Sequence, residues 1–167
     1  MGLDTIRTGT HIFIDSNIFI YHFTGVSDEC SNFLTRCESG ELNGATSANA
    51  ILEVLHRLMM IEAVKNKLIG PPNIAGKLRK HPEKIKQLNE YYSNTQHIAD
   101  MGIIIYPVSS ETILQSHPFR AGYGLMVNDS IIAACMQENG IKYLATNDDA
   151  FLKVNGLTIF SPEDIDL

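Results

Sequence analysis

The chain has 167 residues, of which 44% are hydrophobic and 19% are charged, a balance typical of one globular domain and not of a disordered chain. No apolar run approaches the roughly 20 residues of a membrane-spanning helix, and the opening segment MGLDTIRTGT predicts no secretion signal. The net charge of −6 ordinarily counts against a nucleic-acid partner, but the distribution of charge matters more than its sum.

Short apolar strand patterns alternate with longer helical patterns along the chain. The predicted strands lie at 11–14, 44–46, 102–108, 141–145 and 157–160. The predicted helices cover 29–40, 46–68, 82–100, Ser109 or Ser110 to Gln115, and 127–139, with a loop at 117–124. This alternation predicts a single α/β domain over 1–167, with three layers and a mainly parallel central sheet. The continuous apolar run at 102–108 further predicts a strand that is buried on both faces.

Positive charge is concentrated in one segment of the chain. Seven of the 13 Lys and Arg residues lie between positions 65 and 86, where Glu83 is the only acid. The rest of the chain is therefore strongly acidic, and the pattern predicts a basic limb on an acidic body. This limb is either a solvated surface or an arm that contacts phosphates, with Lys77, Arg79 and Lys80 as its candidate contacts.

Two acids follow predicted strands directly. Asp15 comes after the apolar strand at 11–14, and Asp148 comes after the strand at 141–145. A carboxylate at the end of a core strand is costly to desolvate unless another group compensates its charge. Because ligands gather beyond the carboxyl ends of parallel strands, we expect these two acids to meet at one edge of the sheet.

Two further acids lie near the starts of predicted helices. Glu53 and Asp129 both stand in otherwise apolar stretches, and helix N-termini in a parallel α/β domain point to the same edge as the strand ends. A helix N-terminus stabilises a negative charge by some tenths of a kcal/mol, too little to offset repulsion among four carboxylates. Each acid alone is most simply a helix cap or a surface carboxylate. Together they favour a site for Mg²⁺ or Mn²⁺, because all-oxygen ligands suit these hard cations.

The contexts of these acids resemble the PIN domain, the nuclease fold of VapC-type toxins and related RNA-processing enzymes. The matching segments, in chain order, are FIDSN at 13–17, Glu53 early in a helix, DSIIAA at 129–134 and TNDDAF at 146–151. The resemblance covers nearly the whole chain, and all four segments in order make a strong match, although no single one is specific. Ser16 stands where threonine is common in the family, and it keeps the hydroxyl.

The resemblance implies a catalytic, metal-binding centre made of four acids: Asp15, Glu53, Asp129 and Asp148. It also implies that Asn17 and Thr146 orient these carboxylates or a water molecule. Arg120, which precedes the last of the helices, is a candidate for a phosphate contact, although an ordinary surface arginine is the simpler interpretation.

The favoured hypothesis is therefore a metal-dependent ribonuclease, the toxin of a toxin–antitoxin pair, with RNA as substrate and an antitoxin protein as partner. The resemblance also implies a homodimer. The segment at 62–100 is longer than a compact toxin of this family requires, which predicts a helical extension. Three cysteines without a metal-type spacing favour the reducing cytoplasm: Cys30, Cys37 and Cys135.

Several alternatives belong to other functional classes. A PIN nuclease that processes RNA outside a toxin system, or a non-catalytic PIN scaffold that binds RNA or protein, would share the same fold. The pair Glu53 and His56 has the spacing of di-iron helical bundles, but those need a second such pair. Phosphatases with an aspartyl nucleophile place a second acid two residues after the first, where this chain has Asn17.

Overall fold

The computed structural model describes residues 1–165, and in this range a five-stranded parallel sheet forms the centre of the molecule. The strands lie in the order β3-β2-β1-β4-β5. Their bounds are β1 His11–Ile14, β2 Asn43–Ser47, β3 Ile104–Tyr106, β4 Tyr143–Ala145 and β5 Thr158–Phe160. Every pairing is parallel, and β1 lies between β2 and β4 in the middle of the sheet.

Helices cover both faces of this sheet. Their bounds are α1 Ser16–Thr24, α2 Asp28–Glu38, α3 Ala48–Lys65, α4 Ile74–Lys80, α5 Pro82–Ile85, α6 Glu90–Asp100, α7 Ser110–Gln115, α8 His117–Tyr123 and α9 Val127–Glu138. Ile12 and Ile14 of β1 pack with residues of α1, α2, α3 and α6, whereas Phe13 packs with α9 on the opposite face. The predicted three-layer α/β domain with a parallel sheet is confirmed.

The expectation for the run at 102–108 was wrong in one respect. Only Ile104–Tyr106 forms β3, and Ile104 and Ile105 are 51% and 40% exposed. β3 pairs with β2 alone, so it lies at an edge of the sheet, where burial on both faces is not required. An apolar run therefore identified the strand but not its place in the sheet.

Two helix expectations are corrected as well. The helix predicted over 82–100 is divided into α5 and α6, with a break between Ile85 and Glu90. The segment at 117–124, predicted as a loop, forms α8 and ends at Gly124, whose positive φ of 66° suits a residue without a Cβ. The predicted helix from Ser109 or Ser110 is confirmed, and the Ser109 side chain caps it by accepting from the Thr112 N–H.

Two expectations about the chain as a whole concern the cysteines and the membrane. Cys30, Cys37 and Cys135 are buried and carry free thiols, and burial raises the pKa of each above its usual value. Over residues 1–165, no helix combines the length and the apolar character that a bilayer crossing requires.

The segment that carries the basic cluster packs on the C-terminal half of α3. A small apolar cluster there contains Ala63, Ile69, Leu78 and Leu88, separate from the two cores on the faces of the sheet. Lys77 and Lys84 donate to the carbonyls of Gly70 and Leu68, each at 2.7 Å. The loop between α3 and α4 is therefore held by lysines from its own segment.

A buried carboxylate joins this segment to α3. Glu62 is 6% exposed and accepts the backbone N–H groups of Asn89, Glu90 and Tyr91 at 2.9, 3.1 and 2.8 Å. These are the first N–H groups of α6, which have no partner within their own helix. Burial acts to raise the pKa of Glu62, but the three donors and Lys65 outweigh it and hold that pKa below its usual value of 4.5.

We expect Glu62→Gln to lower the free energy of unfolding by about 2 kcal/mol at pH 7, because hydrogen bonds to a charged acceptor are lost at the start of α6. A lowered pKa means that this contribution is present above pH 4.5 and is lost as the pH falls through the folded-state value. Urea unfolding at pH 7 and pH 3 measures both effects. Glu90→Gln, which removes an exposed carboxylate paired with Lys65, is the matched control and should cost less than about 1 kcal/mol.

Candidate functional site

Asp15 lies where the central strand β1 turns directly into α1. Its backbone N–H continues the strand pairing by donating to the Ala145 carbonyl at 3.0 Å, and its side chain caps α1 by accepting the Ser16 N–H at 2.7 Å. Asp15 is 6% exposed. The chain passes from β1 to α1 at Asp15, and this leaves the Asp15 side chain at the carboxyl edge of the sheet.

Asn17 and Thr146 both contact the other oxygen of this carboxylate. Asp15 Oδ2 accepts the Thr146 hydroxyl at 2.6 Å and the Asn17 Nδ2 at 2.8 Å. Thr146 is fully buried at the end of β4, the neighbour of β1, so this pair joins two adjacent strand ends. The two residues expected to orient carboxylates therefore lie against Asp15 and restrict its rotation.

Asp148 is attached to the same network two residues later. Its N–H donates to Thr146 Oγ1 at 3.0 Å, and its Oδ1 accepts the Ala150 N–H at 2.8 Å. The second bond caps the short 3-10 helix Asp149–Lys153. Asp148 is thus also a helix cap, whereas its neighbour Asp149 is exposed.

Glu53 and Asp129 approach the same edge from two helix N-termini. Asn49, in the first turn of α3, donates from Nδ2 to the Asn128 carbonyl in the first turn of α9 at 3.4 Å. This contact holds together the two helix starts that carry Glu53 and Asp129. Glu53 has a nearby cation on its own helix, because Arg57 Nη1 lies 3.9 Å from Glu53 Oε1.

Two of these acids have raised pKa values, chiefly because they are buried and further because neighbouring acids are charged. The pKa of Asp15 is raised from 3.8 to about 6, first by burial and further by the charges of Glu53 and Asp129, against the lowering effect of its hydrogen bonds. The pKa of Asp129 is also raised, by burial and then by the charges of Asp148 and Glu53. Glu53 and Asp129 thus act on Asp15, and Glu53 and Asp148 act on Asp129, as expected for side chains near one edge of the sheet.

The donor chemistry of this edge suits a hard divalent cation. Its ligands would be carboxylate oxygens, which Mg²⁺ and Mn²⁺ prefer, and a cation would relieve the repulsion that raises two of the pKa values. As the side chains stand, no three His, Cys, Asp or Glu residues within 1–165 form a group that could hold a metal ion. Asp15 and Asp148 are fixed by hydrogen bonds, whereas Glu53 and Asp129 are partly exposed on helix surfaces.

The candidate phosphate contacts differ in whether their side chains already have hydrogen-bond partners. Arg120 is half-buried and donates from Nη1 to the hydroxyls of Ser116 and Ser130, each at 2.7 Å, which joins α8 to α9. Lys77 is bound to the Gly70 carbonyl. Arg79 and Lys80 are exposed on α4. Arg120 and Lys77 therefore have structural partners, and the exposed pair on α4 is free to meet a ligand.

Two residues at the site were missed by the sequence analysis. Asn147 donates its N–H to Asn17 Oδ1 at 3.2 Å and its side-chain amide to the Tyr21 hydroxyl at 3.3 Å, which closes the network around Asp15. Its position between Thr146 and Asp148 was the available signal. Lys153 is the cation whose charge lowers the pKa of Asp129. It is one exposed lysine among many in the sequence, and only the fold places it near the acids.

We expect the stability of the metal-free protein to record the raised pKa of Asp15. A folded pKa of about 6 against 3.8 means that the contribution of Asp15 is fully present below pH 3.8 and is lost as the pH rises through 6. The unfolding free energy of Asp15→Asn should therefore improve relative to wild type by about 3 kcal/mol between pH 3.5 and pH 7.

Chemical unfolding in the presence of EDTA, at intervals between these two pH values, gives this difference. Asp149→Asn, which changes an exposed acid beside Asp148, is the matched control. A difference between wild type and Asp15→Asn that is the same at both ends of the range contradicts the assignment of the raised pKa to Asp15.

The chain matches a known protein family and is similar to individual known proteins. The profile of the PIN domain matches residues 12–157. The chain is 32% identical over 153 residues to Ribonuclease VapC2 of Methanocaldococcus jannaschii, an alignment that covers 89% of this chain and 91% of that protein.

Three solved structures share the fold at lower identity. VapBC2 from Rickettsia felis, bound to a DNA fragment from its promoter, has a TM-score of 0.59 at 16% identity and covers 91% of this chain and 98% of that one. A toxin–antitoxin complex from Klebsiella pneumoniae has a TM-score of 0.54 at 22% identity, covering 88% and 95%. VapC20 of Mycobacterium tuberculosis, a toxin that cleaves the Sarcin-Ricin loop, has a TM-score of 0.57 at 13% identity, covering 86% and 95%. At these identities the likeness concerns the fold alone.

Proposed function

The chain belongs to the PIN domain family, and on this premise we propose that it is a divalent-metal-dependent endoribonuclease, the toxin of a toxin–antitoxin pair. The relative at 32% identity is named a ribonuclease, and two of the solved structures of the same fold are toxin–antitoxin assemblies. The observation that carries the proposal is the arrangement of the acids: the Thr146 hydroxyl joins Asp15 to Asp148 at adjacent strand ends, and the Asn49–Asn128 contact joins the helix starts that carry Glu53 and Asp129.

These four acids are the residues that would hold the cation, either Mg²⁺ or Mn²⁺. Bound there, the cation supplies Lewis-acid stabilisation to the scissile phosphate and lowers the pKa of a water molecule. A mechanism with a histidine base or a cysteine nucleophile has no support at this site. The network around Asp15 contains hydroxyl and amide groups but no histidine or cysteine.

The residues behind the acids keep two carboxylates in place before any ligand arrives. The Thr146 hydroxyl donates to Asp15 and accepts from the Asp148 N–H, so a single side chain sets the positions of both strand-end acids. Asn17 donates to Asp15 and accepts from the Asn147 N–H. Such fixed surroundings reduce the reorganisation that binding and catalysis require.

A toxin of this kind also has binding partners and a cellular compartment. Its partners are an RNA substrate, a cognate antitoxin and a second copy of the chain, with which it forms a homodimer. The three buried free thiols are consistent with a reducing cytoplasm.

We expect Asp15→Asn and Asp129→Asn each to lower the rate of RNA cleavage by about 100-fold or more, because each removes a charge from the cation site. Cleavage by the wild type should require Mg²⁺ or Mn²⁺ and stop in EDTA. Gel analysis of a labelled RNA measures both, and Asp149→Asn serves as the control with an exposed acid. Cleavage that survives EDTA, or equal rates for Asp15→Asn and wild type, contradicts the proposed chemistry.

A separate prediction concerns Thr146. We expect Thr146→Val, which keeps the shape and removes the hydroxyl, to lower Mn²⁺ affinity and cleavage by about 10- to 100-fold. Thr146→Ser retains the hydroxyl and should restore most of both. Calorimetric Mn²⁺ titration separates a positioning role from a loss of folding, because a folded variant with wild-type affinity would show that the hydroxyl does not position Asp15.

A further inference from the structure

A long groove runs along the exposed side of α3. It consists of two adjoining cavities of about 510 and 500 Å³ that share Arg57 and Met60 in their walls. We call this surface the α3 groove. Each of the two is larger than the cavity of about 310 Å³ beside α2, which is lined by Leu3, Phe33 and Arg36 and shares no residue with the groove.

One end of the α3 groove lies at the candidate catalytic site. Glu53 forms part of the wall there, together with Asn49 and Asn128, the two residues that hold the starts of α3 and α9 together. A molecule lying in this part of the groove therefore contacts the residues that surround the candidate cation site. The groove is continuous with the position at which a substrate would be cleaved.

The other end reaches the basic segment. Its wall contains Val64 and Lys65 of α3 and Ile74, the first residue of α4. From Asn49 to Val64, α3 extends by about 22 Å, since a helix rises by about 1.5 Å per residue. At about 3.4 Å for each stacked nucleotide, this is the length of about six nucleotides.

The chemistry of the wall suits unpaired bases. His56 and Arg57 are exposed planar groups on which bases can stack, and Leu52 and Met60 add apolar surface beside them. The amide groups of Asn49 and Asn128 lie at the catalytic end of the same wall. RNA-binding proteins that take up single strands use this combination of planar, apolar and amide groups.

The charge at the basic end of the groove suits an anionic strand. Within the groove itself, Arg57 lies near Glu53 and Lys65 is paired with Glu90, so the cations available to a ligand lie beyond the groove on α4. Beyond Ile74, α4 carries Arg79 and Lys80, which are exposed and make no ion pair or side-chain hydrogen bond to any residue in the described range 1–165. A phosphate chain that follows α4 beyond Ile74 would find these two cations available among residues 1–165.

We propose that the α3 groove binds the single-stranded part of the RNA substrate next to the cleaved phosphate, with bases on His56 and Arg57 and phosphates near Arg79 and Lys80. The inference rests on the proposed ribonuclease function and adds the path of the strand. Within the basic segment, Lys77 and Lys84 stabilise the loop between α3 and α4, whereas Arg79 and Lys80 bind the phosphates.

Binding of RNA without divalent ions tests the groove independently of cleavage. Fluorescence anisotropy with labelled single-stranded RNA of 4, 6, 8 and 12 nucleotides should show affinity rising up to about six to eight nucleotides. The double variant Arg79→Glu with Lys80→Glu should bind the 12-mer about tenfold more weakly, and the slope of log K against log salt should fall by about 1.4, as for two lost phosphate contacts. His56→Ala should weaken binding about tenfold and leave the slope unchanged.

Arg7→Glu with Lys142→Glu is the matched control, because it makes the same change in net charge at exposed positions just before β1 and β4. An equal loss in the control, or an unchanged salt slope in the α4 variant, overturns the groove as an RNA site. So does a result in which the α4 variant and His56→Ala bind RNA normally but lose binding to an antitoxin, which would assign the groove to a protein. If the wild type cleaves no RNA yet shows the expected binding pattern, the proposed function fails and the groove stands.

Discussion

The hydrogen bond from the Thr146 hydroxyl to Asp15, at 2.6 Å, holds together the strand ends on which the candidate site depends. β1 and β4 are neighbours in the middle of a parallel sheet, so the residues that follow them are forced close together. Both carry acids, and repulsion would separate them if nothing held the chain. Thr146, Asn17 and Asn147 supply neutral donors that hold this edge without cancelling its charge.

The Asp15 carboxylate is therefore held in one position by hydrogen bonds, although its negative charge is unfavourable there. Burial and the neighbouring acids raise the pKa of Asp15 to about 6, so its ionised form is costly in the protein without a cation. Ionising Asp15 at this edge costs folding free energy, and the cost is compensated elsewhere in the fold. Here the compensation includes two well-packed cores on the sheet faces and the contact of Glu62 with the start of α6.

Helix α3 connects these parts. Its first turns carry Glu53 to the candidate site, Val54 and Leu58 enter the core beside the sheet, and Glu62 fixes the segment that bears the basic residues. The side of the same helix that faces away from the core forms the α3 groove. The candidate site and the basic segment are therefore held at a set distance by one helix.

The sequence by itself determined the strands, most of the helices and the parallel sheet, and it singled out the acids near one edge, because hydrophobic periodicity and polar residues at strand ends are local signals. It did not determine the position of β3, since an apolar run reads the same at an edge as in the centre, and Ile104 and Ile105 proved exposed. Nor did it show that Lys77 and Arg120 have structural partners while Arg79 and Lys80 remain available. These outcomes depend on which side chains meet across distant segments, and only the tertiary structure decides that.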